Sequence, residues 1–424
     1  MPSKRHETGD IDVKNEERQP VPGPSAGGWR HLVWFHRQPL YWLKSLADQY
    51  GPLTAFRLGP WPFLLASGPK TVGTILRRHG KEFVKRPGLK TDNPLIGAGL
   101  LTTEGSYWAE ERRREAPLFT PTNVKRLLTA DVMPWSVKWA DALPTDRPVE
   151  LHSLFLRGTL DLVIRTLFAD SGPQPLAAYQ EDLAWIMHHF YHRLRSPFRP
   201  PYHWPWPFNR RYHEHARRLE TFFDHWHPEP KLYETLGTRF NPNDPGDRAK
   251  AVTLLLAGQE TTANALTWTL WLLATHPHWQ QRLWEQPEEL DGVLQESLRL
   301  YPPVWLISRE TTRSVTFEGY DLPPHTKILI SPWVSHRNPD VFPDPAAFQP
   351  QRWQSAAPPL DGYFPFGGGP RRCIGQAFAV GEMRAVIQAI LARYRIEPAG
   401  PEPTVFPAMT LEPGTPVYVQ LKSR

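Results

Sequence analysis

The chain has 424 residues, 40% hydrophobic and 22% charged, with 18 Trp and 48 Pro, an ordinary globular balance that can build a sizeable core. Its single cysteine excludes an intramolecular disulfide and any multi-cysteine metal site, and fits a reducing cytoplasm. The formal net charge of +6 is scattered, with one run at Arg112, Arg113 and Arg114 and no interleaved aromatics, so it argues against nucleic acid and for a basic docking face.

Residues 1–28 are polar and rich in charge, Pro and Gly, which reads as a mobile tail and not as a signal peptide or membrane anchor. Pro39–Gln49 is amphipathic, and Gly51–Leu65 reads as a strand hairpin turning at Gly59-Pro60. A helical pattern returns from Lys70 to about Phe83, then a Gly- and Pro-punctuated loop covers 86–106. Residues 107–275 are mainly helical, broken at 196–209 and 241–247. Residues 251–274 form the longest apolar helix. Its length would span a bilayer, but Gln259, Glu260, Thr261, Thr262 and Asn264 in its middle are costly in lipid and predict a buried core helix. Further helices are predicted at 287–301 and 376–395, with short strands at 315–317 and 327–331. The class is mainly α with minor β, and no repeat or linker divides residues 29–424, which are expected to form one domain.

The sharpest signal is Phe364–Gly375, FPFGGGPRRCIG. Glycines let the backbone pass close to a flat bulky group, while Arg371, Arg372 and the helix that follows would lower the Cys373 thiol pKa. Three readings compete: an inert buried cysteine, a phosphate loop, and a haem-thiolate loop in which sulfur donates electron density to iron. The phosphate reading lacks a Gly-Lys-Ser/Thr ending. A second constellation, Ala257-Gly258-Gln259-Glu260-Thr261-Thr262, sits in the long helix, where Thr beside Gly suggests a local bulge. The bland reading is Thr261 back-bonding to a carbonyl. Glu296 and Arg299 stand three apart on one helix face, where a surface pair would carry little energy. His188 and His192 stand four apart but lack the residues of a metalloprotease site.

Phe366, Gly369, Arg371, Cys373 and Gly375 sit at the offsets of the cytochrome P450 Cys-loop, and the chain resembles that family. The resemblance implies the P450 fold: a helix-rich triangular prism with haem b, iron protoporphyrin IX, between the long central helix and the Cys-loop helix. It implies Cys373 as the iron ligand and Glu260–Thr261 as an acid–alcohol pair, in which Thr261 hydrogen-bonds dioxygen and Glu260 relays protons. It makes Glu296–Arg299 with Arg352 a buried brace of the loop. Trp108, Arg112, Arg309 and Arg371 are implied at the haem propionates and Phe366 beside the haem, while the role of His336 stays open.

The resemblance further implies a monooxygenase fed by a separate ferredoxin or flavodoxin and its reductase, because no reductase-like segment follows the Cys-loop helix. A basic face including Arg371 and Arg372 would receive that carrier. By family position the substrate pocket draws on Leu95, Ile96 and Leu100, on Trp185, Trp204 and Trp206, on Leu254, on Val304, Trp305 and Leu306, and on Phe406. None is charged, which predicts a large apolar substrate. Contact with a membrane surface for substrate uptake is compatible with that. GLLTTEGSYW, AVTLLLAGQETTANALTW, SLRLYPPVWLISRET and GYFPFGGGPRRCIGQAFA are similar to bacterial P450s that hydroxylate the β-ionone ring of carotenoids at C-2 or C-3. Fatty-acid, retinoid or terpenoid hydroxylation is the alternative, and a haem-thiolate sensor or carrier the non-enzymatic one.

Overall fold

The computed structural model describes residues 20–25, 27–78, 82–85, 99–168, 176–196, 200–225, 244–355 and 361–424. Leu95, Ile96, the tail up to residue 19 and the first part of the 241–247 break lie outside them. Helix α1 (Gly28–Arg37) begins where the sequence ends its tail, and α2 (Pro39–Tyr50) follows with Pro at its first position, where a missing N–H costs nothing. α1 is hard to read because its apolar residues cover more than one face. Leu32 and Phe35 pack on the core, whereas Trp29, Val33 and Trp34 are exposed. Strands β1 (Leu53–Leu58) and β2 (Trp61–Ala66) form the expected hairpin around Gly59-Pro60.

The predicted helix at 70–83 is instead α3 (Pro69–Gly73), a π-helical turn at Thr74–Arg78, and strand β3 (Phe83–Val84). Next come α4 (Gly105–Glu115), α5 (Pro121–Leu127), α6 (Met133–Asp141), β4 (Val149–Glu150), α7 (Leu151–Phe168), α8 (Leu176–Arg195) and α9 (Pro207–His225). α10 (Pro245–Thr275) runs 31 residues, capped by an Asp244 carboxylate that accepts the Asp247 N–H at 2.9 Å. It is the predicted buried core helix, and several of its polar residues are partnered: Gln259 Nε2 donates to Leu156 O at 3.1 Å, and Thr269 Oγ1 to Ser297 Oγ at 2.8 Å. Among the described residues, no helix is long and apolar enough to cross a membrane.

After α11 (Pro277–Glu285) and α12 (Leu290–Leu300) come β5 (Ile307–Thr311), β6 (Val315–Phe317), β7 (Tyr320–Leu322) and β8 (Lys327–Ile330). The C-terminal part holds α13 (Pro332–Ser335), α14 (Arg352–Ser355), α15 (Gln376–Leu391), β9 (Tyr394–Pro398), β10 (Val405–Pro407), β11 (Leu411–Pro413) and β12 (Tyr418–Ser423). Five strands join in the order β1-β2-β8-β5-β3, with only β2 and β8 parallel. The remaining strands form β4-β12-β9 and the hairpins β6-β7 and β10-β11. The architecture is mainly α with minor β. Its largest buried cluster unites α10, α12 and α15 through residues such as Leu266, Val293 and Ile387, with Trp268 stacked on Tyr301 at 4.1 Å.

Candidate active site

The Phe364–Gly375 loop is held by its own backbone. Gly367 N–H donates to Phe364 O at 2.9 Å, and Cys373 N–H to Phe366 O at 2.9 Å. Gly369 has φ 63, and a Cβ there would lie 1.8 Å from Leu76 O, so no other residue fits. At Gly369 the close approach is to the π-helical turn of the chain itself, whereas a Cβ at Gly367 would meet nothing nearer than Arg371 O at 4.0 Å. The Cys373 thiol is accessible from one side, yet protein surrounds it on the others. Burial pushes its pKa up, outweighing the Gly375 N–H, Arg112 and Arg372, so the expected depression does not occur. A thiol in such surroundings becomes a thiolate when a metal cation binds it.

α10 supplies the other wall. It is mostly buried near its middle, but Ala257 is exposed and Leu254, Gly258, Glu260 and Thr261 around it are partly so. The helix is α-helical throughout, and the suggested bulge is absent; Thr261 Oγ1 donates to Ala257 O at 2.7 Å instead. The Gly258 position brings α7 close, since a Cβ there would meet Val163 at 3.2 Å. The Glu260 carboxylate accepts from the Thr410 hydroxyl, and burial raises its pKa against that hydrogen bond. α10 and α15, which starts three residues after Cys373, share one buried cluster against which Phe366 packs.

The rim is cationic. The Arg371 guanidinium lies 3.7 Å from the Trp108 ring centroid and that of Arg112 5.9 Å from it. Arg371 pairs with Glu104, which also accepts the Lys85 backbone N–H at 2.8 Å. Pairing of β3 with β5 sets Val84 opposite Glu310, so Lys85 follows on opposite Arg309. Burial, then repulsion by Arg371, pushes Arg309 down to about 10; burial, with repulsion from Arg371, Arg309 and Arg112, brings Lys85 to about 8. Four cations thus gather around one carboxylate, and Arg309 is only 7% exposed, with no carboxylate hydrogen-bonded to it among the described residues. Such a group needs an anion. An accessible thiol, an apolar wall and a buried cationic rim fit a flat metal-bearing group with acidic substituents. Lys85 and Glu104 were not singled out by the sequence, because only the strand register brings them here.

Behind the loop, Glu296 and Arg299 are fully buried in a bidentate pair at 2.8 and 2.9 Å. Arg352 Nε donates to Glu296 at 3.1 Å, and Trp353 Nε1 at 2.9 Å. Arg299 also donates to the carbonyls of His336, Pro345 and Ala347. This is the predicted buried brace. His336 belongs to it and not to the rim: its Nε2 accepts the Phe364 N–H at 3.0 Å at the start of the loop. Burial, reinforced by Arg299, pushes its pKa to about 3, so the ring is neutral.

Other expectations shift. Arg371 turns inward to Glu104, leaving exposed Arg372 on the surface with its Nε 2.6 Å from Gln376 Oε1. Trp305 is buried and donates to Ala408 O at 2.9 Å, Trp185 is stacked between His189 and His215, and Trp204 and Trp206 are half exposed. These tryptophans are core or surface, while Val304, Leu254, Leu306 and Phe406 keep accessible faces. His188 and His192 approach to 2.8 Å, but among the described residues no three His, Cys, Asp or Glu gather as a metal site.

Fold and site together define a haem-binding oxygenase class. The chain belongs to the cytochrome P450 family: the sequence model of that family matches residues 20–231 and 241–420. It is 31% identical over 415 residues to cyclooctatin synthase of Streptomyces melanosporofaciens, covering 88% of each chain. Pentalenene oxygenase of Streptomyces avermitilis is 27% identical, over 86% of this chain and 88% of that one. The crystal structure of CYP175A1 from Thermus thermophilus superposes with a TM-score of 0.82 at 28% identity, covering 95% of this chain and all of that one. The chain is a cytochrome P450 monooxygenase, and its cofactor is protoporphyrin IX haem.

Proposed function

We propose that this monooxygenase hydroxylates a C–H bond of a large apolar isoprenoid, and that the β-ionone ring of a carotenoid is one substrate of that class. The observation that carries the reading is the accessible pair Ala257 and Thr261 on the buried helix α10, with Glu260 beside them in the sequence and no charge among the accessible candidates Val304, Leu306 and Phe406. A relative is named for the terpenoid cyclooctat-9-en-7-ol and another for pentalenene, and both names favour an isoprenoid; neither is a carotenoid.

Haem, when bound, supplies the iron at which dioxygen is activated. Cys373 is the residue that would ligate it, with Phe366 of the same loop packed on the core, and Trp108, Arg112, Arg309 and Arg371 would hold its propionates, joined by Lys85. Glu260, whose pKa is raised by burial, holds a proton more readily than a surface glutamate, and the Thr261 oxygen retains acceptor capacity while its hydrogen is held by Ala257 O. Together they pass protons toward the substrate side. Residues 29–424 act as one catalytic unit in the cytoplasm, and a separate acidic ferredoxin or flavodoxin docks against the surface that carries Arg372.

The test is a titration of the holoenzyme with a carotenoid, a cyclic terpenoid and a long-chain fatty acid, followed through the haem Soret band, then by product analysis with a surrogate ferredoxin system. A Soret shift and hydroxylated product with an isoprenoid are expected. Binding and turnover confined to the fatty acid would overturn the substrate class. Thr261→Ala is expected to lower product formation by roughly 10²-fold while reductant is still consumed. Unchanged product per reductant would remove Thr261 from the relay.

A further inference from the structure

Glu104 stands immediately before α4, where a carboxylate commonly accepts an N–H of the first turn, yet its side chain makes no such bond. It reaches to two other elements instead. Its Oε1 accepts the Lys85 backbone N–H at 2.8 Å, just past β3, and the Arg371 Nε at 3.2 Å, from the Cys-loop. Its Oε2 accepts Arg371 Nη2. The Lys85 ammonium in turn donates to Leu100 O at 2.6 Å, tying the segment that leads to Glu104 back to β3. One carboxylate therefore joins β3, α4 and the loop that carries Cys373.

This arrangement fixes Arg371 on two sides. Glu104 takes the Nε–Nη2 edge of the guanidinium, and the Trp108 ring, in the first turn of α4, has its centroid 3.7 Å away. A planar guanidinium held along one edge and against one ring has a single orientation. Its remaining nitrogen, Nη1, has no protein acceptor among the described residues.

The carboxylate is also a charge that counts. Burial pushes the Glu104 pKa up, but the hydrogen bonds from Arg371 and the Lys85 N–H outweigh burial and hold it below the ordinary range, so it is ionised. The Arg371 and Glu104 side chains are only 13% and 17% exposed, and solvent screens them less than a surface pair. Glu115, further along α4, acts on Arg112, but among the described residues no rim cation is hydrogen-bonded to it.

We propose that Glu104 is the positioning residue of the cationic rim: it aims Arg371 at a haem propionate, and its charge holds down the reduction potential of the iron. The first role follows from the bidentate grip, which leaves the Nη1 side of Arg371 for an incoming carboxylate. The second follows from Coulomb's law. One-electron reduction adds negative charge at the haem; Lys85, Arg112, Arg309 and Arg371 stabilise that charge, and the carboxylate among them opposes it.

This inference rests on Arg371 as a propionate anchor, and the experiment separates the two. Holoenzyme is prepared as Glu104→Gln, Glu104→Ala and Arg371→Ala, and each is read by the rate of haem loss to a haem-free globin, by the reduction potential and by thermal melting. In Glu104→Gln the amide oxygen can keep both bonds made by Oε1 while the charge is lost. Its potential is expected to shift positive, with haem loss and melting close to wild type. Glu104→Ala releases Arg371, so haem loss is expected to be several-fold faster. Equally fast haem loss in both Glu104 variants, with an unmoved potential in Glu104→Gln, would overturn the electrostatic role. Wild-type haem loss in Glu104→Ala would overturn the positioning role. If Arg371→Ala also keeps its haem, the reading of Arg371 falls with it; if Arg371→Ala sheds haem while Glu104→Ala does not, only the role of Glu104 falls.

Discussion

Cys373→Ala is expected to abolish the red-shifted Soret band of the reduced, carbon-monoxide-bound enzyme and to reduce hydroxylation to the uncatalysed level. It is the only cysteine in the chain, so no second thiolate can take its place. Its thiol pKa is raised by burial, and within the protein alone the sulfur is protonated at neutral pH. Iron supplies the positive charge that makes the thiolate worth forming. The side chain itself is accessible and contributes little packing, so the variant should melt close to the haem-free wild type. Retention of the band in a folded variant would refute ligation by Cys373.

Arg299→Ala is expected to destabilise the protein by about 3–5 kcal/mol, the usual cost of leaving one charge of a buried pair alone. Glu296 would keep Arg352 and Trp353 but lose its bidentate partner, and three carbonyls would lose their donor. Because Arg299 reaches His336 O and His336 accepts from the loop at Phe364, haem retention should fall in parallel with the thermal melting midpoint. Replacing Glu296 and Arg299 together by Leu and Met should cost less than the sum of the single changes, since the orphaned charge disappears. A melting curve unchanged in Arg299→Ala would show that the brace is dispensable.

What the sequence revealed was local. The Cys-loop, the Glu296–Arg299 spacing, the Gly59-Pro60 hairpin and the core helix read at 251–274 depend on short offsets or on periodicity, and the folded chain keeps them, the helix starting six residues earlier. What it hid was long-range. Glu104 meets Arg371 across 267 positions and Thr410 meets Glu260 across 150, and no spacing announces either contact. The thiol pKa was misjudged for a related reason: Arg372 beside Cys373 is visible in a sequence, but burial is not. The bulge in α10 failed because Thr261 satisfies itself on Ala257 O without breaking the helix. Strands β5 and β7 were missed because ISRET and YDL are short and polar, and become strands only through their neighbours β8, β3 and β6.

Strand β5 also decides how the gene can vary. Its residues are locked opposite β8 from Ile307–Ile330 to Glu310–Lys327, and the same strand presents Arg309 beside Lys85. A one-residue slip would turn every β5 side chain to the opposite face. Codon insertions or deletions between 307 and 311 would therefore carry Arg309 away from Lys85 and Arg371, while replacements there keep the strand register. Length changes are better absorbed at the β6-β7 turn, where Gly319 has open space around it. Relatives of this enzyme are accordingly expected to differ by substitution along β5 and by loop length at the hairpin tip, which an alignment of their sequences would check.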